Sequence, residues 1–174
     1  MENWIIWVNV ITLLVLAFSF IGGLINGVAR SLLSLIALII ALPVAGLLYL
    51  KLANVLTLLP SKDWQNFVGF LVTAGVISAI LNLIFLLPRR AIEKVWKKGV
   101  LSRLIGGLLA GFSAVISIVV FVLVVQAYPV VGWLEQLFTD SLVPSWLVAH
   151  FGFIQILLPE VFRGTIAASI AFLM

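Results

Sequence analysis

Four stretches without a single Asp, Glu, Lys or Arg constrain this chain most: residues 3–29, 31–50, 64–88 and 104–134. A helix rises about 1.5 Å per residue, so about 20 apolar residues cross the roughly 30 Å of hydrocarbon in a bilayer. Each stretch is long enough. A soluble domain carries roughly 25% charged residues; this chain has 9%, with 64% hydrophobic. Inside a bilayer every backbone polar group needs an internal partner, which a helix supplies within one segment. The reading is an all-α integral membrane protein with four transmembrane helices plus short interfacial or re-entrant amphipathic helices.

The spans are predicted at about 5–24, 31–50, 64–87 and 102–127. They make a four-helix transmembrane domain over 1–129, followed by a C-terminal interfacial amphipathic and apolar tail over 130–174. The first 29 residues carry no basic residue, so the positive region of a signal peptide is missing and the first segment reads as a retained helix. Trp4 and Trp7 suit an interfacial aromatic belt. Gly22, Gly23 and Gly27 are expected to break the chain into a turn beside Arg30, and Pro43 to kink the second span. Lys51, Asn54 and Thr57 recur every three residues, which predicts a short interfacial or re-entrant helix over 51–59. Ser61 or Asp63 is expected to cap the third helix, and Ser102 the fourth.

Small and polar residues line one face of each span. They are Asn9, Thr12, Ser19, Gly23 and Asn26 in the first, and Ser31, Ser34, Ala41 and Ala45 in the second. The third has Gly75, Ser78, Ala79 and Asn82; the fourth has Gly107, Gly111, Ala114 and Ser117. Small residues let membrane helices approach closely, and polar ones bond across the interface. Gly23, Gly27, Gly107 and Gly111 are therefore the expected helix-packing residues. Asn9, Asn26, Asn82 and Gln126 are the intramembrane polar residues. Interhelical hydrogen bonding is the plainer reading of these amides; a pore lining is the sharper one. A short repeat supports two related hairpins: Ile21-Gly22-Gly23-Leu24 with Gly27 matches Ile105-Gly106-Gly107-Leu108 with Gly111 at an offset of 84.

Six of the ten Lys and Arg residues fall between Arg89 and Arg103. Arg89, Arg90, Lys94, Lys97, Lys98 and Arg103 read as a membrane-surface anchor on anionic headgroups, worth about 1 kcal/mol per basic residue. The bias of basic loops toward the cytoplasm puts 89–103 inside and both termini outside. The net charge of +4 is concentrated beside membrane segments, and no nucleic-acid recognition pattern accompanies it. Residues 130–140 place Trp133, Leu134, Leu137 and Phe138 opposite Glu135, Gln136 and Asp140, an interfacial amphipathic pattern. Residues 141–159 read as a second surface helix, with a fifth span as the alternative.

Catalytic signatures are missing. There is no GxSxG, HExxH, Walker loop or GxGxxG, cysteine is absent, and the one histidine, His150, lies in the tail. The spans contain no carboxylate for a proton relay. The expectation is a non-enzymatic protein with no cofactor, no metal and no catalytic residue.

Three stretches, taken together, resemble the colicin V production protein (CvpA) family. They are WVNVIT followed by FSFIGGLINGVARSLLSLIALIIALPVAG, then GVLSRLIGGLLAGFSAVISI, then the tail pattern Pro129, Trp133, Ser141-Leu142 and Pro144. The chain departs from the family's pattern at Asn9 and Ser102, where members often have Asp, and at Ser31, where they often have Glu. Roles resting on charge at those positions are not expected of it. The resemblance implies a multi-pass protein of the bacterial inner membrane, linked to toxin production and export and to envelope homeostasis. It would act through a membrane-protein partner or as a homo-oligomer. The alternative is a small oligomeric channel or transporter. The orientation is directly testable. A reporter active only in the cytoplasm, inserted after Gly99, is expected to be active, and the same reporter fused after Met174 silent; activity at Met174 contradicts the four-span arrangement.

Overall fold

Gly27 divides the first helix. The computed structural model describes residues 2–56, 59–88, 92, 99–128, 130 and 132–158. In it α1 runs Glu2–Ala53, 52 residues. A straight helix of that length would extend about 78 Å, more than twice the hydrocarbon thickness. It is not straight. Gly27 has φ 77° and ψ 178°, a region essentially closed to any residue with a Cβ. Two arms, 2–26 and 28–53, fold toward each other there. Val15 of the first and Leu38 of the second line the same cavity, although a straight helix would hold them about 35 Å apart. The spans expected at 5–24 and 31–50 are thus the arms of one helical hairpin.

Three local expectations change. Gly22 and Gly23 stay helical, and the backbone leaves the helix at Gly27 alone. Pro43 sits on the exposed side of the second arm and keeps helical φ/ψ. The chain continues as α1 through Lys51 to Ala53 and then turns, so residues 51–53 extend the second arm instead of starting a separate helix.

Helix α2 spans Lys62–Ile84 and is capped by Ser61, whose hydroxyl accepts the Trp64 N–H at 3.3 Å. Helix α3 spans Val100–Ala127, with Gly99 at its N-cap; Ser102 lies inside the helix and does not cap it. Helices α4 (Gly132–Asp140) and α5 (Leu142–Phe151) follow, and a 3₁₀ helix, Gly152–Leu157, continues α5. The chain bends by 78° between α4 and α5. Among the described residues three helices, α1, α2 and α3, are long and apolar enough to cross a membrane. Counting α1 as two arms gives four membrane-length segments. Arg89, Arg90, Lys94, Lys97 and Lys98, and the tail beyond Leu158, lie outside the described residues; Arg103 is exposed in the first turn of α3.

Helix α3 is the central post. Where it begins it crosses the α1 hairpin at glycine. A Cβ added to Gly106 would lie 2.7 Å from the Gly23 carbonyl oxygen and 2.8 Å from the Gly27 Cα; one added to Gly23 would strike the Gly106 carbonyl and the Ala110 side chain. Gly107 meets Leu24 and Phe20, and Gly111 keeps an ordinary 3.8 Å distance from Phe20. The closest crossing therefore uses Gly23 and Gly27 against Gly106 and Ala110, one residue earlier in α3 than the expected Gly107–Gly111 ridge. The two matching glycine stretches of the sequence cross each other.

At the opposite end the second arm, α2 and α3 meet through Tyr49. Its hydroxyl is 2.9 Å from the Tyr128 hydroxyl, and its ring lies edge-on to Phe70 with centroids 5.9 Å apart. Such aromatic pairs contribute about 0.5–1.5 kcal/mol beyond area burial. The bent α4–α5 pair folds onto this end. Ser141 at the bend is fully buried, and Leu147, Val148, Ile154 and Leu158 join Val119 and Leu123 in the core. Asn9 ties the first arm to the same place. Its Oδ1 accepts the Val143 N–H at 2.8 Å, capping α5 from a residue 134 positions away. Ser141, the residue ahead of α5, bonds the Leu137 carbonyl instead. A cap of this kind is worth about 0.5–2 kcal/mol.

The Gly27 corner gives a clean comparison. Gly27→Ala forces a Cβ into a closed backbone region and is expected to cost about 1–3 kcal/mol. Gly22→Ala, where an added Cβ meets nothing within 4 Å, is expected to be neutral or to stabilise by up to about 1 kcal/mol. Unfolding of both variants in the same detergent decides; equal effects would contradict the corner.

Candidate functional site: a hydroxyl-lined cleft

The asymmetry of α2 makes the site. Of its most apolar window only 11% is buried, against 44% for α3. The buried residues, Gly69, Phe70 and Thr73, lie in its first half. There Gly69 fits against Ala53, and Phe67 stacks edge-on to Phe121 of α3. In the second half an added Cβ at Gly75 would meet nothing within 4 Å, and Ala79 and Asn82 are exposed. The helix is held at the Tyr49 end and free toward the Gly27 end, so a cleft opens there between α2, both arms of α1 and α3.

The cleft has a volume of about 480 Å³. The first arm contributes Val15, Ser19 and Asn26, spaced so that they share a helix face. The second arm contributes Arg30, Ser31, Ser34 and Leu38 at the same spacing; α2 adds Ser78 and Asn82, and α3 adds Ala110, Ser113 and Ser117. A second cavity of about 530 Å³ adjoins it, sharing Arg30, Ser34 and Asn82 and lined otherwise by Leu33, Ala79, Leu83, Phe85 and Leu86. Among the described residues Arg30 is the one formally charged residue lining either cavity.

Serine and threonine hydroxyls in helices usually return to the i−4 carbonyl. Thr12, Thr73 and Ser117 do so here, at 2.8, 2.6 and 2.9 Å. The Asn82 amide likewise donates to the Ser78 carbonyl at 2.8 Å, and Arg30 Nη1 donates to Asn26 Oδ1 at 2.6 Å. Two cleft hydroxyls differ. The Ser113 Oγ is buried without a hydrogen-bond partner. Ser31 is 4% exposed and makes no hydrogen bond among the described residues. Its i−4 neighbour is Gly27, whose ψ of 178° swings the carbonyl away from the helix direction. A buried hydroxyl without a partner costs about 1–3 kcal/mol, so this cleft suits water or a polar ligand better than lipid tails.

The structure sorts the expected polar residues into two groups. Asn26 and Asn82 line the same cleft. Asn9 caps α5 at the far end, and the Gln126 Oε1 is buried near there without a partner. His150 stacks on Trp146, centroids 4.2 Å apart, on the exposed side of α5. Of the expected packing glycines, Gly23 and Gly27 are at the crossing, and Gly107 is close beside it. Gly106 and Ser113 were not singled out as a packing glycine and a polar cleft residue. The repeat around Gly106 was the available signal for the first; nothing in sequence distinguishes Ser113 from other helix serines.

The family model for colicin V production protein matches residues 8–155, which include every residue lining both cavities. No curated protein and no solved structure matches the chain.

The cleft predicts where water reaches. The chain has no cysteine, so single substitutions report cleanly. Ser34→Cys and Ser113→Cys are expected to react with a small polar thiol reagent at least about tenfold faster than Leu47→Cys, which is exposed on the apolar outside. Equal rates would mean that the cleft is closed to water, since the thiolate that reacts needs a polar surrounding.

Proposed function

Because the chain belongs to the colicin V production protein family, a family of membrane proteins not known as enzymes, we propose that it serves toxin production and export as a non-enzymatic component of the bacterial inner membrane. The same assembly role would extend to envelope homeostasis. It works by contact within the bilayer, with a membrane-protein partner or a second copy of itself. The basic stretch 89–103 lies on anionic headgroups at the cytoplasmic face, with both termini outside, as the distribution of charge requires.

One observation carries the reading: the unpacked half of α2. Gly75, Ala79 and Asn82 are exposed on a membrane-length helix whose buried residues all lie in its other half. A small-residue face lets a neighbouring helix come close, and an exposed amide on such a helix gains from a partner that bonds it, typically by about 0.6–2 kcal/mol. A helix laid against this face would also close the cleft from the side. The small-channel reading has support of its own, because Asn26 and Asn82 share the hydroxyl-lined cleft. It requires the cleft to continue toward the Tyr49 end, where Phe70, Tyr49 and Tyr128 are packed together. Assembly is therefore the stronger reading.

Cross-linking in membranes tests it. Gly75→Cys is expected to form a covalent adduct, to a partner or to a second copy, at several times the yield of Leu47→Cys, which is exposed on the second arm of α1. Gly75→Leu is expected to lower toxin release with little loss of stability, because open space surrounds Gly75. Equal yields at the two cysteines, together with normal toxin release by Gly75→Leu, would remove α2 as the contact face.

A further inference from the structure

We infer that the Arg30 end of the cleft binds the phosphate group of a membrane phospholipid, with the phosphate between Arg30, Ser31 and Ser34 and an acyl chain along Leu33, Leu83 and Leu86. The site goes beyond the assembly role proposed above and stands whether or not another helix covers Gly75.

Two cavities meet at one cation. The 480 Å³ cleft is lined by six serines; the 530 Å³ cavity sets Leu33, Leu83, Phe85 and Leu86 beside a polar side; Arg30, Ser34 and Asn82 belong to both. A ligand that fills them together is amphiphilic, with its polar group at Arg30. The sign of its charge follows from the lining, which among the described residues contains a guanidinium and no carboxylate. Asn26 accepts one N–H of Arg30, but a neutral amide oxygen leaves the positive charge in place, and a guanidinium has five N–H donors in a planar fork suited to phosphate. Ser31, a 4% exposed residue that lines the cleft and has no hydrogen bond among the described residues, adds a hydroxyl donor. Depth selects a lipid over a solute. Arg30 is three residues past the Gly27 corner, at the end of the bundle where α2 finishes and α3 begins. That is headgroup level, with the apolar cavity beside it. Arg103 is the natural control. It lies at the same end of the bundle, but its cavity is lined by Leu24, Ile25, Val100 and Leu104, without a hydroxyl.

The full chain, purified in a neutral detergent, is titrated with short-chain phosphatidylglycerol, with diacylglycerol of the same chains and with inorganic phosphate, and bound species are counted by native mass spectrometry. Phosphatidylglycerol is expected to bind one per chain, diacylglycerol at least about tenfold more weakly, and excess inorganic phosphate to leave the lipid in place. Arg30→Gln is expected to weaken phosphatidylglycerol about 10- to 100-fold, the range for hydrogen bonds to a charged group. Arg30→Lys should keep part of the affinity, since the charge remains and the fork is lost; Arg103→Gln should change it less than about twofold. Ser34→Leu, which plugs the junction of the two cavities, gives an independent loss should Arg30→Gln fail to fold. Equal losses for Arg30→Gln and Arg103→Gln would reduce the effect to general surface charge and overturn the site. Binding of diacylglycerol as tight as phosphatidylglycerol, displacement by inorganic phosphate, or full binding by Ser34→Leu would each overturn it as well. None of these results bears on the Gly75 cross-link, so the two proposals fail separately.

Discussion

Everything in this molecule depends on three glycines meeting without side chains. Gly23 and Gly27 of the hairpin press against Gly106 of α3, and a single added Cβ at Gly23 or Gly106 runs into backbone. In a bilayer the hydrophobic effect does not drive helices together, because lipid is as apolar as a leucine surface. Close approach and the dispersion contacts that come with it take over. The crossing brings two arms of one helix to the same side of α3, and Gly27 supplies the backbone conformation that makes the corner. The hydroxyls of both arms then face inward, and Ser31 loses its usual carbonyl because the corner turned it away.

The other end is built by different means. Tyr49, Tyr128 and Phe70 fasten the second arm, α2 and α3, while Asn9 fastens the first arm to α5. Helix α2 shares in this end only. That inequality is what leaves a polar cleft between membrane-length helices, open at Arg30 and bordered by an unpacked helix face. The protein is tight where glycine and tyrosine hold it and open where serine lines it. Both functional readings, assembly on α2 and lipid at Arg30, follow from the open part.

Much of this was legible in the residues. Charge-free runs of membrane length identify the segments because no other environment tolerates them, and the small faces of Ser19–Asn26, Ser31–Ser34 and Ser78–Asn82 were visible as helical spacing. Their convergence on one cleft was not, because periodicity gives the face of a helix but not its partner. Gly22, Gly23 and Gly27 look alike in sequence; only the crossing separates a packing glycine from a corner glycine. The contact of Asn9 with the Val143 amide spans 134 residues and leaves no local trace. The Gly99 cap on α3 replaced the expected Ser102 because α3 begins four residues earlier than its charge-free run.

The central claim is that the first 53 residues form a hairpin cornered at Gly27. Spin labels at Ile11 and Leu47, both exposed, measure it in the cysteine-free chain. A continuous helix would separate these positions by about 54 Å. The hairpin, with neighbouring helix axes about 8–10 Å apart and label arms included, predicts a distance below about 30 Å. A distribution centred near 50 Å would contradict the hairpin, and with it the cleft.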